Sequence, residues 1–122
     1  MSDNFLKIAR QEIQAELDSL QQILIQCNDD KDISNNGNKI GKHLHKIKGL
    51  APMIGQNNVG EIAKINDSIL RHIIENGTQS GTYQVMSESL QIMQEIFNGT
   101  NKKDAEEFKN KIRKSFSHIL NQ

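Results

Sequence analysis

Seven residues near the N-terminus, Leu6, Ala9, Ile13, Leu17, Leu20, Leu24 and Cys27, recur at spacings of three and four. Positions so spaced fall on one face of an α-helix. Unbroken over 3–27, such a helix is about 36 Å long at 1.5 Å per residue. A seam of that length needs several other helices to cover it. Ser2 or Asp3 can cap its free N–H groups, and the polar run Asn28–Asp32 ends it.

Four more segments carry the same period. Ile40, Leu44, Ile47 and Ala51 form a stripe on a second helix, with Ile33 in phase ahead of it; Pro52 and Gly55 end or kink that helix. Val59, Ile62, Ala63, Asn66, Leu70 and Ile73 share a face of a third helix. Asn58 and Glu61 there have the spacing of a capping box, and Asn76-Gly77 reads as a left-handed stop. Tyr83, Met86, Leu90, Met93 and Phe97 mark a fourth helix, ending at Asn98-Gly99. Ala105, Phe108, Ile112, Ser115, Phe116 and Ile119 mark a fifth, whose outer face is mostly charged. The expected fold is all-α: an antiparallel four-helix bundle with a fifth helix, in one domain over 1–122. Its five helices are expected near 3–27, 38–52, 58–76, 82–98 and 102–120.

Charge and composition narrow the function. Fifteen Lys and Arg balance fifteen Asp and Glu, so no net charge draws the chain to nucleic acid or an anionic membrane. Mean hydropathy is −0.62, no apolar run approaches the ~20 residues of a membrane span, and no secretory signal is seen. A single cysteine, Cys27, excludes an internal disulfide and a thiolate metal site. A cytoplasmic location is expected.

The chemistry concentrates in I-G-K-H-L-H-K-I-K-G-L-A-P-M-I-G, from Ile40 to Gly55. His45 lies well off the apolar stripe, toward solvent. Gly41 and Gly49 stand one turn before and one turn after it. A glycine inside a helix costs about 1 kcal/mol relative to alanine. Two of them around one histidine keep side chains off both sides of the imidazole, so that a large partner can reach the ring.

The string from His45 to Gly55 resembles the signature of histidine-containing phosphotransfer (HPt) domains, H-x-[hydrophobic]-K-G-x-[small]-x-x-[hydrophobic]-G. Every specified position matches, with chance agreement on the order of 10⁻⁷ per starting point. Five helices with a long first one look most like the N-terminal phosphotransfer domain of the chemotaxis histidine kinase CheA. The resemblance implies that His45 accepts a phosphoryl group and that Lys48 offsets its charge. A carboxylate twenty-two residues on, Asp67 here, orients the ring. The family usually has glutamate at that position and free-standing members often glutamine, so Asp67 is a departure. Lys64 stands where the chemotaxis group often has histidine.

What the resemblance implies agrees with elementary chemistry. A neutral imidazole is nucleophilic at one nitrogen when the other holds the proton. A carboxylate accepting Nδ1–H would leave Nε2 free to attack phosphorus. The implied partners are a response-regulator receiver domain and a histidine kinase ATP-binding domain, in cis or in trans. Gly41, Lys42, Gly49, Pro52, Met53 and Lys64 are expected on the docking surface, and a rim of Lys42, Lys46, Lys48 and Lys64 is expected to speed encounter with an acidic receiver at low salt. No Walker-type loop G-x-x-x-x-G-K-[ST] is present. The chain is therefore expected to be a phosphotransfer intermediate, not an enzyme with its own ATP site, without cofactor or metal, and monomeric. His43, about 200° around the helix from His45, is expected to be ordinary surface, as are His72 and His118 or else structural. The alternative is a helical bundle used only for interaction or dimerisation, its histidine inert.

Overall fold

The structure, a computed structural model, describes residues 2–120; residues 1, 121 and 122 of the expected 1–122 domain lie outside them. The described residues are all-helical and contain no strand. They form seven α-helices: α1 (Asp3–Ile25), α2 (Asp30–Asn35), α3 (Gly37–Leu50), α4 (Asn57–Asn76), α5 (Thr82–Asn98), α6 (Ala105–Ser115) and α7 (Ser117–Leu120). A single 3-10 turn, Ala51–Ile54, separates α3 from α4. No helix among them is long and apolar enough to cross a membrane.

The two helices beyond the expected five arise at polar breaks. α1 stops at Ile25, two residues before the expected end, and Cys27 is buried in the loop that follows. Burial raises the Cys27 thiol pKa, and the Asp32 and Asp29 carboxylates push it further up. Asp29 then caps a new helix, its side chain accepting from the Asp32 N–H at 2.9 Å. This gives α2, and Ile33 is buried on it, not on an early start of α3. The expected fifth helix begins only at Ala105, where Asp104 caps it by accepting from the Glu107 N–H, and breaks at Phe116 into α6 and α7.

The periodic residues build the core. Ile13, Leu17, Ile33, Ile40, Ile47, Val59, Ile62 and Leu70 are all wholly enclosed. α1 contacts α3, α3 contacts α4, α4 contacts α5, and α5 returns to α1; α6 and α7 lie on α4. Arg10 clasps the end of α5, its guanidinium 4.5 Å over the Phe97 ring.

α3 and α4 approach closely because Gly37 and Gly41, one turn apart, have no side chains. A Cβ at Gly37 would come within 2.8 Å of Ile74, and one at Gly41 within 3.1 Å of Leu70. The 3-10 turn is seated in the same way. A Cβ at Gly60 would lie 2.9 Å from both Cγ and Cδ of Pro52, so the proline ring rests directly on α4.

Two expected caps take other forms. Gly77 ends α4 at φ 100°, ψ 174°, a region open to glycine but distinct from the left-handed helical stop expected there. The Asn58–Glu61 capping box does not form, because α4 starts at Asn57 without a side-chain cap. Both side chains instead accept hydrogen bonds from Lys109 Nζ, at 3.0 Å and 3.1–3.2 Å. Lys109, on the last helix whose outer face was expected to be mostly charged, is wholly buried there and also pairs with Glu106.

Candidate functional site

His45 is exposed on α3, 100° around the helix from the core residue Leu44. Two shallow clefts meet at its ring. The first lies between α3 and α4, with Gly41, Lys42, Lys46, Asp67, Leu70 and Arg71 among its walls. The second lies toward α1, with Glu12, Ala15, Lys46, Gly49, Leu50 and Met53. Among the described residues, no hydrogen bond ties the His45 ring to another side chain, and no cluster of three or more His, Cys, Asp or Glu could hold a metal ion.

The two glycines beside His45 differ. A Cβ on Gly49 would meet nothing within 4 Å, so its absence leaves open space beside the ring. Gly41 is the close-approach point with Leu70 and serves helix packing as well as access.

Asp67, on α4, is buried at the floor of the first cleft. Its Oδ2 accepts from Lys48 Nζ at 3.1 Å and from Arg71 Nε at 3.2 Å. The carboxylate therefore meets two cations, and the two residues expected to serve His45, Lys48 for the phosphoryl charge and Asp67 for the ring, are joined to each other by an ion pair. One oxygen, Oδ1, has no hydrogen-bond partner among the described residues. Arg71 was not anticipated from the sequence, although its position four residues after Asp67 is the spacing of a helical ion pair.

The expected cationic rim is divided. Lys42 and Lys46 are exposed and line the first cleft; Lys48 is half-buried and tied to Asp67. Lys64 is exposed on α4 but lines a different groove, with Arg113, Ile119 and Leu120, so the structure does not place it in either cleft at His45. Pro52 is exposed on one side while its ring rests on Gly60. Met53 is 51% exposed and lines the second cleft.

His43 departs from the expectation of ordinary surface. It is half-buried, and its Nδ1–H donates to Glu16 Oε1 on α1 at 2.6 Å. The carboxylate also lies 3.7 Å from Lys46 Nζ. This contact joins α3 to α1. His72 is half-buried against Asn76, and the exposed His118 ring stacks on Phe116; neither lines either cleft.

Comparison with family models, with curated proteins and with solved structures gave no match.

Proposed function

We propose that this chain is a phosphohistidine carrier of a two-component relay, with His45 as the acceptor. The observation that carries the reading is one juxtaposition. An exposed imidazole with no side-chain hydrogen-bond partner among the described residues stands beside an open glycine, in a cleft whose floor is a buried carboxylate bearing two cations. The HPt-like string His45–Gly55 supports the same reading.

In the proposed step, Nε2 of neutral His45 attacks the phosphorus of a donor while Nδ1 keeps its proton. The N–P bond forms as the bond from phosphorus to the donor oxygen breaks, and its electron pair leaves with that oxygen. The donor is a receiver domain's acyl phosphate or the γ-phosphate of ATP on a kinase domain, and a receiver aspartate takes the group in the reverse sense. Magnesium belongs to those partners. The chain contributes a positioned nucleophile and nearby positive charge, and is a relay intermediate without turnover of its own. Asp67 Oδ1 is the atom that would accept the imidazole Nδ1–H.

The cyclic contact of α1, α3, α4 and α5 favours an antiparallel four-helix bundle as the frame. α6 and α7 would then form the outer, fifth segment.

The reading is tested by mixing the protein with a phosphorylated receiver, or with an active chemotaxis-type kinase and ATP, and assaying acid-labile, base-stable label. His45→Gln should abolish labelling with helicity intact, and His43→Gln should retain it. Label that survives in His45→Gln and disappears in His43→Gln would move the acceptor to the Glu16-paired ring. A fully folded protein that takes no label would leave the interaction module as the better description.

A further inference from the structure

Resting on the phosphocarrier reading, we infer that Arg71 binds the phosphoryl group carried by His45, and that Asp67 holds the guanidinium in place for that purpose. Arg71 and His45 stand on different helices yet line the same cleft. The close approach of α3 to α4 at Gly37 and Gly41 brings them together.

The division of hydrogen bonds on Arg71 is the central point. Its Nε donates to Asp67 Oδ2 at 3.2 Å, and the Asp67 side chain is only 5% exposed. One edge of the guanidinium is thus anchored to a fixed carboxylate. The side chain is otherwise 63% exposed, and its two terminal amino groups make no hydrogen bond among the described residues. A planar pair of N–H donors matches two oxygens of a phosphoryl group.

The other cations are less suited to the task. Lys48 spends its ammonium on the same Asp67 oxygen and is only 31% exposed. Moving it to a phosphoryl group would take a cation from a buried carboxylate. Arg71 can bind through its outer edge while Nε stays on Asp67. Lys42 and Lys46 are single ammonium groups on flexible stems, and Lys46 also faces Glu16. Asp67 with Lys48 and Arg71 leaves one net positive charge at the cleft, with Lys42 and Lys46 at the rim, to meet a phosphoryl dianion.

The test loads the full chain with phosphoramidate, a small donor that needs no protein partner, and follows the phosphorus resonance of the product by NMR. In Arg71→Gln the label should be lost about tenfold faster, as expected for removal of one charge-assisted hydrogen bond. The pH midpoint of the phosphorus shift should rise, because a neighbouring cation favours the dianion; Lys42, Lys46, Lys48 and Asp67 remain present in both proteins. Arg71→Lys should lie between wild type and Arg71→Gln in both readouts, and it decides the matter if Arg71→Gln does not fold. A purely structural role would leave the midpoint unmoved. Equal lifetimes and midpoints in wild type and variants would overturn the role of Arg71 while the carrier reading stood. Wild-type protein that takes no phosphoryl group at His45 would overturn both.

Discussion

Lys48 on α3 donates from Nζ to Oδ2 of Asp67 on α4 at 3.1 Å, so the lysine expected to meet the phosphoryl group is first a tie between two helices. Arg71 shares that oxygen. Breaking a fully buried ion pair by removing one partner costs about 3–5 kcal/mol. Here both cations retain contact with water, so the cost is smaller. Asp67→Asn should destabilise the fold by about 1–2 kcal/mol in urea denaturation and slow phosphorylation of His45 several-fold. A variant as stable and as fast as wild type would reduce Asp67 to a bystander.

Asp30, on α2, caps a helix fifty residues away. Its carboxylate accepts from the Gly81 N–H at 3.0 Å and the Tyr83 N–H at 2.8 Å, while Gly81, the residue in the capping position of α5, has no side chain to do so. Negative charge at this end also favours the helix dipole. Asp30→Ala should cost about 1–2 kcal/mol, and hydrogen exchange should show the gain in amide opening concentrated at Thr82–Val85. A uniform change across the chain would contradict a local cap.

These two residues show where the sequence was legible and where it was not. The seam from Ala9 to Leu24 and the stripe Ile40, Leu44, Ile47 were readable because a helix repeats every 3.6 residues, and the structure buries them all. The outward placement of His45 followed from the same geometry. Partner choice did not. Asp30 sits in a polar run that reads as a helix stop, and nothing local announces a bond to Gly81. Lys109 sits among charged neighbours, so its burial depends on Glu61 and Asn58, which the sequence assigned to a capping box. Arg71 could have been found from its spacing to Asp67. The close helix crossing at Gly37 and Gly41 was not legible in the sequence, where Gly41 reads only as access to His45.

The glycines of the site region should separate by substitution. Gly49→Ala adds a methyl to a helix in open space and should stabilise the fold by about 0.5 kcal/mol. Gly60→Ala drives a Cβ into the rigid Pro52 ring at 2.9 Å and should cost about 1–3 kcal/mol. If the surface beside His45 is the docking face, Gly49→Ala should also slow transfer from a receiver while leaving loading from phosphoramidate unchanged. Thermal and urea denaturation check the first pair, and parallel labelling checks the second. Equal slowing with both donors would place the effect on the imidazole itself.

Lys109 offers a stability test with a defined pH window. Its side chain is wholly buried on α6 while its partners Glu61 and Glu106 stay in contact with water. Burial acts to lower the lysine pKa, but hydrogen bonds to Glu106 and Glu61 and their charges outweigh it, so the net direction is upward from 10.5. A cationic group whose pKa is raised by folding stabilises the native state below its unfolded pKa. That contribution is lost as pH climbs through the folded value. Lys109→Met keeps most of the stem packing and loses the ion pairs, whereas Lys109→Ala loses both. The expected costs near pH 8 are under about 1 kcal/mol for the first and about 2 kcal/mol for the second. The gap between wild type and Lys109→Met should stay level from pH 8 to 10 and shrink beyond 10.5. A gap that instead widened between pH 8 and 10.5 and then levelled off would mean that the buried amine is held neutral, against the two carboxylates that pair with it.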